Sequence, residues 1–306
     1  MVDIVCLGEP LLELSERPGD GGTWFLQGYG GDTSNCAIAA ARQDASVGYL
    51  TALGDDGFGR AFLDLWAAEG VDASAVAVDR DAHTGVYFIR YRDGEHAFSY
   101  LRQGSAASRL GPDDLPLDYI RAARVLHVSG ISQAISPEAC DAVFAAVAAA
   151  REAGVTVSYD TNLRLRLWPL ARARAVIHAA MREADIALPG LEDARRLTGL
   201  TDPDAVVDFY AGLGPRIVAL KMGHEGVLVA ADGERVHCPP HPVAQVDAAG
   251  AGDVFDGAFL SGIVRGVRPV AAARYANVAA ALSTLGRGAV APIPRRAAVE
   301  AALRGA

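Results

Sequence analysis

Asp247-Ala-Ala-Gly-Ala-Gly-Asp253, followed at once by the apolar run Val254-Phe255-Asp256-Gly257-Ala258-Phe259-Leu260, is the stretch on which the fold turns. Small residues and glycines stand where a loop becomes a helix, and a carboxylate closes the loop. A helix N-terminus offers unpaired backbone N–H groups and a partial positive charge, which suits a phosphate. An aspartate on the same first turn lies beside any phosphate bound there and can accept the proton of an attacking hydroxyl. An anion cradle and a proton acceptor are what phosphoryl transfer asks for. Glycine-rich loops open many helices, so the rest of the chain must carry the decision.

Outward from this loop, short apolar, β-branched runs recur at 3–7, 47–53, 125–128, 155–159, 186–188, 217–220 and 226–230. Alanine-rich helical stretches alternate with them at 34–43, 59–69, 137–153, 170–183, 191–198 and 270–285. This alternation predicts an α/β fold with a mainly parallel sheet and helices on both faces. Ligands of such sheets gather at the carboxyl ends of the strands, where Asn162, Arg164, Glu192 and Lys221 fall. No repeat, linker or domain break interrupts the chain.

The exception to the alternation lies at 84–92 and 95–102, two β-rich runs joined by Asp93-Gly94, a hairpin turn signal. Pairing about that turn sets Tyr87 opposite Tyr100 and puts Tyr87, Tyr100 and Arg102 on one face. Two phenols and a guanidinium on one side suit a ligand; a half-wet edge hairpin is the plain alternative. With 21–29 supplying further strands, these residues predict a small β lid formed by segments at about 15–32 and 84–103.

The 306 residues carry a net charge of −9, which disfavours nucleic acid or an anionic membrane as the main partner. Cys6, Cys36, Cys140 and Cys238 are scattered, as free thiols are in a reducing compartment. Neither an export signal nor an apolar run long enough to span a membrane is visible, so a cytoplasmic protein is expected. No Walker loop, dinucleotide GxGxxG, HExxH or GxSxG element occurs. His127 lies inside a predicted strand and reads as a core histidine. Gly30-Gly31-Asp32-Thr33-Ser34-Asn35 opens a long helix. It reads either as a glycine turn with a Thr or Ser cap, or as close backbone approach to a polyhydroxy substrate with Asp32 and Asn35 facing hydroxyls.

Taken together, Gly30-Gly31, Asn35, Gly54-Asp55-Asp56-Gly57 and Asp247–Asp253 make the chain resemble the ribokinase (PfkB) carbohydrate kinases. Ala248 replaces the usual threonine or proline of the second signature. The resemblance covers the full length and implies a ribokinase-like α/β domain over 1–306 with an inserted β-sheet lid. Within the family the chain is most similar to the 2-keto-3-deoxygluconate kinases. That similarity rests on Gly30–Thr33, Tyr100-Leu-Arg102 before Gly104–Ala107, Leu126–Ile131, and Asp160-Thr-Asn162-Leu-Arg164 before Leu167-Trp168. It implies ATP-dependent phosphorylation of the C6 hydroxyl of the sugar acid. A sibling kinase for fructose or another sugar, or a non-catalytic sensor on the same fold, is the rival.

The resemblance also implies roles residue by residue. Asp253 is the base, the N–H groups of Ala249, Gly250, Ala251 and Gly252 form the anion hole, and Arg164 reaches the γ-phosphate. Gly31, Asp32, Asn35, Tyr87, Tyr100, Arg102 and Ile131 join Asp253 around the sugar acid. Arg102 there takes the carboxylate through its planar fork. Asn162, Arg164, Lys221, Gly223, Gly226, Gly250, Gly252 and Asn277 hold ATP. Glu192 organises Mg2+, although Pro189 replaces the asparagine of that element, and a monovalent cation is an option. At Ala289 some relatives carry an acidic substrate contact. A homo-oligomer through the lid is expected.

Overall fold

Ile4–Leu7 is four consecutive apolar residues, all buried, as a strand covered on both faces must be. It runs parallel to Val125–Ser129 on one side and Val47–Leu50 on the other. From there the sheet extends outward in the order Thr156–Asp160, Ile186–Ala187, Ile217–Lys221, Val227–Ala231 and Glu234–Cys238, with Val71–Asp72 closing the opposite edge. Only the last two pairings at the first edge are antiparallel. The computed structural model describes residues 2–19, 22–92 and 95–305. No helix among these is long and apolar enough to cross a membrane.

Each face of the sheet carries its own apolar core. Asp32–Arg42, Ala251–Val264 and Pro269–Ser283 pack on one side, and Pro137–Glu152, Leu170–Met181 and Pro203–Leu213 on the other. The expected run at 47–53 divides at Thr51, because Ala52–Gly54 leaves the large sheet to pair with Ala77–Asp79. His127 is 2% exposed within its strand, with Nδ1 3.1 Å from Ser158 Oγ. All four cysteines are buried free thiols.

A separate four-stranded sheet runs Gly22–Gly30, Leu11–Gly19, Val86–Arg92, Glu95–Leu101. Its hairpin pairs Tyr87 with Tyr100, the register expected from the sequence, while the Asp93-Gly94 turn itself lies outside the described residues. The first lid arm begins at Leu11, not near residue 15. Leu11, Leu12 and Glu13 are all buried, so no alternation marks the strand in the sequence.

Helices Asp32–Arg42 and Ala251–Val264 cross at Gly257, where a Cβ would sit 2.3 Å from the carbonyl oxygen of Cys36. Only a glycine allows this approach, and it sets the separation of the two helix N-termini.

Candidate active site

Helix Asp32–Arg42 starts at Gly31, whose φ of 101° lies in the left-handed region and whose Cβ would meet Glu9 O at 2.4 Å. Neither hydroxyl caps it. Thr33 Oγ1 lies 2.9 Å from Tyr49 OH, and Ser34 Oγ accepts from Trp66 Nε1 at 3.0 Å, so both turn into the core. The helix mouth is left to Asp32 and Asn35, against the Thr/Ser-cap alternative. Asp56 of the second glycine turn does cap its helix, accepting from Gly59 N at 2.7 Å.

The helix mouths meet at one hydrogen bond: Asn35 Nδ2 donates to Asp253 Oδ2 at 2.8 Å across 218 residues of chain. Burial pushes the Asp253 carboxyl up to about 7, the charge of Asp32 adds to this, and the Asn35 amide opposes it. Asp32 Oδ2 accepts from Ser129 Oγ and, at 3.0 Å, from Asn162 Nδ2. Asp32 Oδ1 and Asn35 Oδ1 are buried without a partner. Ile131 is half-buried on the short helix Gly130–Ala134 that Ser129 caps.

The anion cradle is narrower than the sequence implied. Ala249 N donates to Asp247 Oδ1 at 3.0 Å, and Ala251 N to Ala248 O at 3.2 Å. These two amides are engaged in shaping the turn. Among the described residues the N–H groups of Gly250, Gly252 and Asp253 donate to no backbone carbonyl, and they remain for a ligand. Asp247 Oδ2 also accepts from Gly288 N at 3.0 Å, and Ala289 packs against Gly250, so that loop braces the cradle.

Beside the cradle opens a cavity of about 330 Å³, lined by Lys221, Gly223, Gly226, Gly252, Asn277 and largely apolar neighbours. Lys221 is not free: its Nζ lies 2.9 Å from both Asp256 oxygens and 3.1 Å from Asp160 Oδ2. Burial works against the ammonium, but the two carboxylates outweigh it and hold its pKa above the ordinary lysine value. Burial raises Asp256, which Lys221 only partly offsets, whereas for Asp160 the lysine and its hydrogen bonds prevail and hold the carboxyl low. One ammonium between two carboxylates balances only one of them. Sequence reading missed both acids, although Asp160 ends a strand and Asp256 follows Asp253 by one helical turn.

The lid brings Tyr87 and Tyr100 into a stack with centroids 5.8 Å apart, and Arg102 Cζ lies 5.8 Å from the Tyr100 ring. Tyr87 OH donates to Glu13 and Arg102 Nη2 to Glu9, two buried acids that the sequence reading did not single out.

Three residues stand differently from expectation. Asn162, with a φ of +26°, turns its side chain to Asp32, donating from Nδ2 to Oδ2 at 3.0 Å. Arg164 is exposed at the rim, with Nη1 on its neighbour's carbonyl, Leu163 O, at 2.9 Å. Glu192 faces outward, its side chain 77% exposed and paired with Arg195, so it does not enter the site. The inward carboxylate is Asp193, which accepts from Leu163 N at 2.9 Å and is raised by burial. Leu191, Ala194 and Leu197 form the buried stripe of that helix. Their spacing already turns Glu192 and Arg196 to solvent.

A family model described as pfkB family carbohydrate kinase matches residues 1–296. The 2-dehydro-3-deoxygluconokinase of Thermoproteus tenax is 35% identical over 307 residues, covering 97% of this chain and 93% of its own. Probable fructokinase-4 of Arabidopsis thaliana is 34% identical, covering 99% and 97%. A solved putative ribokinase II from E. coli, in complex with ATP and Mg2+, matches with a TM-score of 0.92 at 25% identity over 100% of both chains. The likeness runs through the helix mouths that meet at Asp253 as well as through the sheet behind them, and the chain belongs to the pfkB family of carbohydrate kinases, with their ribokinase-like fold.

Proposed function

We propose that this kinase transfers the γ-phosphoryl group of ATP to the C6 hydroxyl of 2-keto-3-deoxygluconate. Support comes from polar atoms that the fold buries without partners. Each such atom costs about 1–3 kcal/mol until a ligand satisfies it. Asp32 Oδ1 and Asn35 Oδ1 are acceptors in this state, and sugar hydroxyls supply the donors. Arg102 Nε is a donor in this state, and a carboxylate is the acceptor that a guanidinium edge fits. That atom carries the choice of a sugar acid.

In this reading Asp253 accepts the proton of the C6 hydroxyl as its oxygen bonds to the γ-phosphorus and ADP leaves. The amides of Gly250 and Gly252 face the transferring charge, and the cavity beside Lys221 and Asn277 takes the nucleotide. Among the described residues no three His, Cys, Asp or Glu side chains cluster as a metal site. Magnesium would arrive with the ATP phosphates, with Asp193 and Asp160 as the carboxylates that would hold its water shell, and would supply charge neutralisation there.

One observation favours a second reading. Glu9 already pairs with Arg102, which suits a neutral ketose such as fructose. ADP release with ATP–Mg2+ across 2-keto-3-deoxygluconate, its galactonate epimer, fructose, ribose and gluconate separates the two. The expected result is turnover of the keto-deoxy acids at the highest kcat/KM; turnover of fructose alone overturns the sugar-acid assignment.

We also infer a homo-oligomer seated on the lid. Trp24 and Leu26, on the edge strand Gly22–Gly30, are 65% and 58% exposed, and Leu101 at the opposite edge is 59% exposed. Sedimentation should give a dimer or larger species that Trp24→Glu dissociates; a monomer at micromolar concentration removes the inference.

A further inference from the structure

We propose that Glu9 determines specificity by acting through Arg102, so that the ion pair, rather than the arginine alone, sets the preference between sugar acids and neutral ketoses. The proposal deepens the sugar-acid reading and rests on it. Glu9 follows the central strand Ile4–Leu7, at the carboxyl end where the chain reverses its direction across the sheet. Its side chain is 0% exposed and that of Arg102 is 14% exposed. Oε1 accepts from Ser105 Oγ at 2.8 Å and Oε2 from Arg102 Nη2, so both oxygens are engaged. This anchors a residue from the end of the lid to the floor of the α/β body.

Two consequences come from that anchor. With Nη2 turned to Glu9, the guanidinium keeps its Nε buried and unpartnered, a donor that a ligand can satisfy. The charge of Arg102 is also largely cancelled, since a fully buried carboxylate lies against it with little water to screen the pair. A substrate carboxylate arriving at Nε meets one guanidinium and one buried carboxylate. It gains a directed hydrogen bond but little net attraction, and a neutral ketose loses little by comparison.

Loss of Arg102 alone therefore harms the acid twice, because the donor disappears and the Glu9 charge is uncovered. Removing both charges restores the share of the loss that comes from the uncovered Glu9 charge. The test is kcat/KM on 2-keto-3-deoxygluconate and on fructose for wild type, Arg102→Gln, Glu9→Gln and the double variant. Arg102→Gln should lower the value for the acid about 100-fold, in KM more than kcat, with the value for fructose falling by a smaller factor. Adding Glu9→Gln should recover at least about tenfold of the loss toward the acid. A double variant as poor on the acid as Arg102→Gln overturns the proposal. Glu9→Gln alone leaves a guanidinium buried and unpaired, and its folding is not required. Arg102→Gln leaves the Glu9 carboxylate still accepting from Ser105 Oγ, and the double variant swaps an ion pair for neutral groups of similar size, which proteins tolerate. A wild type inactive on the acid defeats the sugar-acid reading and the proposal with it. An active wild type without rescue defeats the proposal alone.

Discussion

Replacing Asp253 by Asn is expected to lower kcat by about 10²–10⁴-fold while leaving the KM for the sugar nearly unchanged. The substitution keeps the shape and the contact with Asn35, which donates to this side chain at 2.8 Å, and removes only the ability to take a proton. A kcat within about threefold of wild type would exclude Asp253 as the base. The same group fixes the pH profile. Its pKa stands at about 7 in the folded protein, because burial and the Asp32 charge disfavour the ionised form. A base works only when ionised, so kcat/KM should be level above about pH 7. Below it, the value should fall about tenfold per pH unit. The neutral substitution Asp32→Asn should move the break to lower pH, since a repelling charge is gone. A profile level down to about pH 5 would contradict this assignment.

Lys221→Met is expected to cost stability more than any other single change at the site, about 3–5 kcal/mol at neutral pH. The methionine fills the space of the stem but leaves Asp160 and Asp256 buried together without their shared ammonium. In the wild type Asp160 is held below its ordinary value, so it contributes stability above the unfolded pKa and loses it as pH falls. Without the lysine, burial raises both carboxyls above their unfolded values. Their contribution is then favourable in acid and lost as pH rises. Asp160 of the wild type is ionised in both states from about pH 5 to pH 8, and only the raised Asp256 and Asp253 lose stability there. The urea midpoint should therefore fall more steeply over that range in the variant than in the wild type. Equal slopes would mean that the lysine does not hold the carboxylates. Nucleotide affinity should fall as well, since Lys221 lines the cavity and a Cβ on Gly252 would lie 3.7 Å from its Nζ.

Parts of this site were legible in the sequence because their geometry is local. A loop that turns into a helix within seven residues reads directly, and so does a hairpin whose register follows from its turn. Asp253, Asn35 and the Tyr87–Tyr100 pair were found that way. Glu9, Asp160 and Asp256 were not, since each acts through a partner far along the chain; Glu9 and Arg102 are 93 residues apart. A single acid in an apolar context carries no mark of the cation that will face it. Glu192 is a different case. One residue on a helix is a rotation of about 100°, and the apolar stripe in the same eight residues already turned Glu192 outward. The roles of Ala249 and Ala251 lay beyond sequence reading, because engaged and open amides have the same residue types.

Gly257 also bears on how this enzyme can be made hardier. A glycine in mid-helix is the usual first target for replacement by alanine, a change that adds about 0.4–1 kcal/mol where the backbone permits it. Here the new methyl would press on the carbonyl of Cys36 and wedge apart the two helices whose mouths join Asn35 to Asp253. Selection for heat tolerance and selection for turnover therefore hold this one position at glycine together, because the clash costs more than the entropy that alanine saves. The close approach kept there is the condition for a contact between Asn35 and Asp253, far apart along the chain.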